Sequence, residues 1–201
     1  MERAELKRRA KAQLGGKIFG SVWLYAVLAV LIYNALVRVI GAVPTVGVVI
    51  SLLLGGPLAY GIDSIFLKQA RDGEPMQIGD LFKGFSEDFS GLFLLGLMQT
   101  IFIVLWSLLL VVPGIVAGLA YSMSYYIKKD HPEYDWRTCM NASKQMMNGH
   151  KMELFVLNLS FIGWYIVGAI CLGVGSLWVD AYRHAAVAQF YQCLSAQNAA
   201  E

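Results

Sequence analysis

The segment from Phe89 to Ile127 contains no Asp, Glu, Lys or Arg, and this limits the possible folds more than any other feature of the chain. A single helix of that length would measure about 58 Å, nearly twice the ~30 Å hydrocarbon core of a bilayer. The segment must therefore reverse direction within the membrane. We predict the reversal at Val112, Pro113 and Gly114, because proline lacks a backbone donor and glycine accepts any turn conformation.

The overall composition is that of an integral membrane protein. Hydrophobic residues make up 57% of the chain and charged residues 15%, and the mean hydropathy is +0.56. Soluble domains are less apolar and carry more charge. Because no polar segment is longer than about 25 residues, we predict that residues 1–201 form one membrane domain without a separate soluble part.

The apolar segments predict an all-α fold with six transmembrane helices arranged as three hairpins. Their predicted bounds are about 18–37, 46–67, 89–111, 114–127, 152–172 and 176–194. Gly173 and Gly175 mark the turn of the last hairpin, as Pro113 and Gly114 mark that of the second. Within the second span, Gly56 and Pro57 predict a bend that faces protein, where neighbouring groups can satisfy the freed carbonyl.

The polar segments predict short amphipathic helices on one side of the membrane. Residues 1–17 are basic, with apolar residues spaced four apart, and indicate either a helix on the anionic inner leaflet or a disordered positive tail. Residues 76–85 carry a weak helical stripe. In the second polar loop, Asp135 is a predicted N-cap and Gly149 a predicted helix end.

The basic residues predict the orientation of the bundle. Fourteen of the 16 Lys and Arg residues lie in the N-terminal segment and the two polar loops, which share one side of the membrane. The exceptions are Arg38 and Arg183. By the positive-inside rule the basic side is cytoplasmic, so we expect both termini and Cys139 there, and Cys171 near the outer surface.

The chain also carries signs of an internal repeat. Residues 92–97 align with residues 154–159 at a spacing of 62 positions, and residues 14–17 resemble residues 147–150. The repeated unit would be a surface helix followed by a hairpin, occurring three times with pseudo-threefold symmetry. Chance alignment of apolar segments is the alternative.

Several motifs resemble a family of bacterial integral membrane proteins known as domain of unknown function 975. The resemblance extends over roughly residues 14–191 and is carried by Leu105-Trp106, Pro113-Gly114, Tyr121-Ser122-Met123, Gly149-His150-Lys151, Ser160-Phe161-Ile162-Gly163-Trp164, Gly173-Val174-Gly175 and Leu177-Trp178. It implies a six-span protein of the bacterial cytoplasmic membrane, distantly similar to the membrane part of glycerophosphodiester phosphodiesterases. It supplies no catalytic residues.

Four ionisable residues lie within the predicted spans. Asp180, Arg183 and His184 share one face of the sixth span, and Asp63 lies near the inner end of the second. Ionisable groups are expensive in a membrane and usually mark a functional site. A proton or substrate pathway is one interpretation. The other is an Asp180–Arg183 pair that fixes the rotation of the helix, with Asp63 too far along the membrane axis to pair with Arg183.

Two further patterns concern packing and a cavity. Gly114 and Gly118 form a GxxxG motif that allows close helix contact, either within the chain or in a dimer. Polar and aromatic residues of the fourth and fifth spans could line a cavity open to the cytoplasm, and tyrosines at the membrane boundary are otherwise ordinary anchors. The predicted cavity residues are Tyr121, Ser122, Trp164 and Tyr165.

The sequence contains no nucleophile–base arrangement, phosphate-binding glycine loop or zinc motif. We therefore predict no catalytic residues, no metal and no cofactor, and an enzyme is unsupported. The leading hypothesis is a membrane protein that binds a lipid or a membrane-embedded partner, and not nucleic acid. The alternative is a small transporter or channel that uses Asp63, Asp180, Arg183 and His184.

Overall fold

A computed structural model describes residues 3–16, 20–41, 46–170 and 174–198. The described chain is helical and contains no β-strand, which confirms the all-α class. A short 3₁₀ helix at Ile78–Phe82 precedes α4. The α-helices are α1 (Arg3–Gln13), α2 (Ser21–Gly41), α3 (Val46–Asp72), α4 (Lys83–Ser86), α5 (Phe89–Leu109), α6 (Val111–Tyr121), α7 (Ser124–Asp130), α8 (Trp136–Met146), α9 (Lys151–Leu159), α10 (Ile162–Ile170) and α11 (Val174–Asn198).

Four helical segments in the described part of the chain are long and apolar enough to cross a membrane. They are Ser21–Ile40, Gly47–Asp72, Phe89–Leu109 and Lys151–Gly168. α6 has only 11 residues, and α11 carries Asp180 and Arg183 among other polar residues. Six spans and a threefold repeat therefore remain predictions, whereas several apolar helices of membrane-spanning length are present.

The central hairpin is formed by α5 and α6, but the predicted position of its turn is wrong. The chain reverses at Leu110, whose backbone is extended with φ −162° and ψ 146°. Pro113 lies in the first turn of α6, where its missing N–H removes no intrahelical hydrogen bond. Gly114 packs against α5, since an added Cβ would lie 2.8 Å from Ser107 Cα. Phe102 and Tyr121 face each other further along the hairpin, with ring centroids 6.3 Å apart.

The returning leg of this hairpin is broken at Ser122 and Met123, between α6 and α7. Ser143 of α8 satisfies backbone groups at the break. Its hydroxyl donates to Ala120 O at 2.7 Å and accepts from Met123 N at 3.2 Å. The leg therefore extends over 111–130 in two pieces and differs from the single span predicted at 114–127.

α8 begins where the sequence predicted, but it packs on protein. The Asp135 carboxylate accepts a hydrogen bond from Thr138 N at 2.9 Å, which caps the helix. Gly149 follows the end of the helix with φ +81°, a conformation that L side chains rarely adopt. Cys139 and Met140 are buried in the core of the chain. The apolar face of α8 thus covers the inner part of the α5–α7 hairpin.

α1 is an ordered helix docked on α11. Leu6, Ala10 and Leu14 are buried, and Tyr182 donates a hydrogen bond from its hydroxyl to Lys7 O at 2.9 Å. The Lys7 ammonium lies 4.5 Å from the centroid of the Phe161 ring. The disordered-tail alternative is therefore wrong for Arg3–Gln13.

Glycines allow α3 to approach α5 and the 78–86 segment at backbone distance. A Cβ added to Gly56 would lie 3.0 Å from Leu92 C, and one on Gly96 would lie 2.7 Å from Gly56 Cα. A Cβ on Gly61 would lie 2.7 Å from Leu81 C. α3 continues as one helix from Val46 to Asp72 through Pro57, and the predicted bend at this position stays a prediction.

Along the bundle axis, the described start of α11 in the third hairpin (α9, α10 and α11) is offset from the start of α3. Asp63 of α3 contacts His184 of α11, so the two residues lie at the same depth. Asp63 lies 17 residues after the start of α3, and His184 lies 10 residues after the start of α11. At 1.5 Å per residue these distances are about 26 Å and about 15 Å. The described part of α11 therefore begins about 10 Å closer to this contact than α3 does.

Candidate functional site

A cavity of about 270 Å³ lies between α3, α6–α7, α9 and α11. We call it the polar cavity. It contains three of the four ionisable residues predicted as intramembrane candidates. Its lining residues are Asp63, Gly118, Leu119, Ser122, Tyr126, Leu154, Asn158, Arg183, His184 and Val187.

Asp63 is held by partners from two other helices. Its Oδ1 accepts a hydrogen bond from the Tyr126 hydroxyl at 3.1 Å and lies 3.5 Å from His184 Nδ1. The side chains of Asp63 and His184 are each 15% exposed. Phe66 stacks on the imidazole, with ring centroids 5.4 Å apart, and fixes its orientation. The sequence indicated no partner for Asp63 on α11, and His184 of that helix is its partner.

Arg183 and Asp180 are linked through Tyr165. Arg183 Nε donates to the Tyr165 hydroxyl at 3.2 Å, and that hydroxyl donates in turn to Asp180 Oδ1. The predicted direct pair between Asp180 and Arg183 is absent from the described contacts, and a hydroxyl from α10 stands between them. The other side of the guanidinium lies against His184, with 3.5 Å between Nη2 and Nε2.

These contacts form one connected chain of polar groups. It runs from Tyr126 through Asp63, His184, Arg183 and Tyr165 to Asp180. Each charged group therefore has a polar partner, which offsets the cost of removing it from water. Arginine has five N–H donors, and the described contacts of Arg183 engage only two of them.

Gly118 differs from the packing role that the GxxxG motif predicted. A Cβ added there would meet no described atom within 4 Å, whereas one added to Gly114 would collide with Ser107. The motif is thus divided between two environments. Gly114 closes the hairpin, and Gly118 leaves the wall of the polar cavity open.

The four predicted cavity residues do not share one cavity. Ser122 lines the polar cavity, while Tyr165 bridges Asp180 and Arg183. Tyr121 lines a groove shared with Trp106, and Trp164 lies on another groove between α1, α2, α10 and α11.

Sequence reasoning missed Asn158 and Phe66, which the fold brings to this site. For Tyr126, at the end of the fourth predicted span, the sequence allowed either a cavity-lining residue or a boundary anchor, and Tyr126 lines the polar cavity. Asn158 gave a usable signal, because it is an amide inside an otherwise apolar predicted span. Of the predicted turn glycines, Gly175 packs on Gly168, where an added Cβ would lie 2.8 Å from Gly168 Cα. Gly173 lies outside the described residues.

An ion-pair layer lies near the polar cavity, toward the C-terminal ends of α3 and α7. Arg71 donates to both Asp130 oxygens, at 2.8 and 2.9 Å, and the Tyr191 hydroxyl donates to Asp130 at 2.6 Å. Burial alone would raise the pKa of Asp130, but the hydrogen bonds from Arg71 and Tyr191 outweigh it, and the pKa is lowered. Lys128 lies 2.7 Å from Asp88 and is the main cause of the lowered pKa of that carboxyl. This layer ties α3, α7 and α11 together.

In the described part of the chain, no three His, Cys, Asp or Glu side chains are grouped closely enough to hold a metal ion. The polar groups that line the cavity are hydrogen-bonding side chains and one carboxylate, that of Asp63.

Comparison with known proteins assigns the chain to a family. No curated protein and no solved structure matches it. The expected similarity to the membrane part of glycerophosphodiester phosphodiesterases remains a prediction. The model of a protein family of unknown function, DUF975, matches residues 1–117 and 108–198, which together cover nearly the whole chain. The protein belongs to the DUF975 family.

Proposed function

We propose that this protein binds the phosphate-bearing headgroup of an anionic lipid in the polar cavity. The observation that carries the proposal is the excess of donors over acceptors in the lining. Arg183 has three N–H donors without a described partner, and Asn158 has one amide hydrogen beyond the one donated to Leu154 O. The Ser122 hydroxyl already donates to Leu119 O, and the one lining carboxylate, Asp63, is engaged by Tyr126 and His184.

The chemistry of the cavity suits a phosphodiester. Guanidinium binds phosphate oxygens through paired, charge-assisted hydrogen bonds, and these are stronger where water is excluded. A volume of about 270 Å³ accommodates a headgroup. Leu119, Leu154 and Val187 supply an apolar part of the wall, so the acyl chains can remain in the bilayer beside α6 and α9.

The proposal includes the predicted topology of six spans in three hairpins, with both termini in the cytoplasm. The positive-inside distribution supports this orientation, since 14 of the 16 basic residues lie on one side. The order of elements supports the repeat, because a short helix precedes each hairpin: α1, α4 and α8. In this orientation the polar cavity is nearest the inner leaflet, where anionic lipids attract basic proteins.

Native mass spectrometry tests the proposal. The protein is extracted from a bilayer of phosphatidylglycerol and phosphatidylcholine, and the lipid molecules that it retains are counted. Gly118→Leu fills the cavity without removing a polar group. Gly55→Leu is the matched control, because Gly55 is exposed and an added Cβ there also meets no described atom within 4 Å. We expect Gly118→Leu to retain one phosphatidylglycerol fewer than Gly55→Leu. Equal retention by the two variants would contradict headgroup binding in this cavity.

A transporter is the second candidate, and the connected polar chain from Asp63 to Asp180 favours it. The guanidinium of Arg183 does not release its proton, so the one contact of this chain that can exchange a proton is that between Asp63 and His184. Arg183 and Asp180 would act as fixed charges beside the pathway. Proton flux into liposomes containing the purified protein separates the candidates. Flux that is lost in Asp180→Asn, with lipid retention unchanged, would favour transport over lipid binding.

A further inference from the structure

An apolar groove of about 330 Å³ lies beside α11, between α1, α2 and α10. We call it the tryptophan groove. It shares none of its described lining residues with the polar cavity. The lining residues are Lys11, Trp23, Trp164, Val167, Gly168, Gly175, Trp178, Val179 and Tyr182.

The groove combines an apolar floor with a cationic edge. Three of the five tryptophans of the chain line it, and Trp164 is 56% exposed on the side that faces away from the protein core. Lys11 lies near the end of the basic helix α1 and is exposed. Aromatic rings beside a lysine are typical of the zone where acyl chains meet headgroups.

Trp23 carries a buried donor without a partner. Its side chain is 5% exposed, and Nε1 has no hydrogen-bond acceptor among the described residues. Buried indole N–H groups usually find a partner, because an unmade hydrogen bond in a dry environment costs stability. Trp23 lines the tryptophan groove, but Nε1 itself has almost no accessible surface. A small rotation of the indole would be needed to bring this donor to an acceptor oxygen of a bound molecule.

We propose that the tryptophan groove binds one anionic phospholipid. Its phosphate lies at Lys11, its ester carbonyl accepts from Trp23 Nε1, and one acyl chain packs along Trp164, Trp178 and Val167. The order of these three features matches the order of groups along a phospholipid. A fatty acid has one polar group, its carboxylate, for both Lys11 and Trp23, whereas a phospholipid has a phosphate and separate ester carbonyls, so we expect the phospholipid to bind more tightly.

Quenching of tryptophan fluorescence by brominated lipid tests this proposal in the full chain. A Trp106→Phe/Trp136→Phe background leaves only the three groove tryptophans. In neutral detergent micelles, we compare brominated phosphatidylglycerol with brominated phosphatidylcholine at equal mole fraction, which matches quenching by the micelle itself. We expect saturable quenching at about tenfold lower mole fraction of phosphatidylglycerol, equivalent to loss of one charge-assisted contact in the neutral lipid.

Variants assign the signal to the groove. Lys11→Glu should abolish the preference for phosphatidylglycerol, and Lys11→Gln should reduce it without reversing a charge. Arg3→Glu is the control, because Arg3 is exposed on the same helix and does not line the groove. Trp23→Phe should weaken quenching of the two remaining tryptophans by the ester-containing lipid.

Three results would overturn the proposal. One is equal quenching by the two phospholipids, and another is an unchanged preference in both Lys11 variants. The third is brominated fatty acid quenching at the same mole fraction as phosphatidylglycerol, which would assign the groove to a free acid. Gly118→Leu should leave the quenching intact, so failure of the polar cavity as a lipid site and failure of the tryptophan groove are distinguishable.

Discussion

Replacing Gly56 by Ala tests the packing at the centre of the bundle. The added methyl group would lie 3.0 Å from Leu92 C and 3.3 Å from Gly96 Cα. Both neighbours are backbone atoms of α5, so no side-chain rotation can relieve the contact. Gly55, the preceding residue in the same helix, is a matched control, because an added Cβ there meets no described atom within 4 Å.

The two substitutions are expected to change the free energy of unfolding in opposite directions. Alanine in a helix interior is favoured over glycine by about 0.5–1 kcal/mol, so Gly55→Ala should stabilise the protein slightly. Overpacking costs about 1–3 kcal/mol, and the backbone neighbours of Gly56 place this site at the upper end. After subtracting the gain in helix propensity, Gly56→Ala should be less stable than the parent by about 2 kcal/mol. The two variants should then differ by about 3 kcal/mol, more than a hundredfold in the unfolding equilibrium.

A reversible unfolding titration in mixed micelles measures this difference directly, with helical circular dichroism as the signal. Gly61→Ala provides a second site of the same kind, because its Cβ would lie 2.7 Å from Leu81 C. If Gly56→Ala is as stable as Gly55→Ala, α3 and α5 do not cross at backbone distance, and the reasoning from glycine contacts is refuted.

Three further predictions concern the α6–α7 break, the ion-pair layer and the topology. Ser143→Ala leaves backbone groups at the α6–α7 break without a partner and should cost about 1–3 kcal/mol in the same titration, whereas exposed Ser86→Ala should be neutral. The folded-state pKa of Asp130 is lowered, so its ionised form adds stability above the unfolded pKa of about 3.9. Thermal melts of Asp130→Asn should therefore show a destabilisation at pH 7 that shrinks as the pH falls below about 4. Burial raises the pKa of Cys139 to about 11, so this thiol should resist maleimide even in permeabilised cells. A cysteine introduced by Arg38→Cys should instead react with an impermeant reagent from outside intact cells. If it is protected, the predicted orientation is reversed.

Local features of the fold could be predicted from the sequence because their causes are local. The uncharged segment between Phe89 and Ile127 required a reversal by its length alone. Asp135 predicted the start of α8, since a carboxylate at the N-cap of a helix accepts a hydrogen bond from a free backbone N–H. The position of the turn at Leu110 could not be predicted, because proline fits the first turn of a helix as well as a loop.

The partners of the ionisable residues could not be predicted from the sequence, because they depend on tertiary contacts. Asp63 and His184 are separated by most of the chain, and nothing in their spacing indicates that α3 and α11 run side by side. The direct Asp180–Arg183 pair was predicted from helical spacing, which places two side chains on one face but does not exclude a third group between them. Tyr165 provides that group from α10.

In the proposed topology, the offset between α11 and α3 would explain how α11 carries three ionisable residues. His184 lies at the depth of Asp63, near the inner end of α3, and Asp180 lies only four residues further outward, about 6 Å along the helix. A charge at the membrane centre is far more costly than one near the interface, where polar groups and water are within reach. If α11 extended outward as far as α3, with these residues at the membrane centre, their desolvation would oppose folding. In the proposed topology these residues lie near the inner boundary, which would lower that cost, and Arg183 lines the polar cavity.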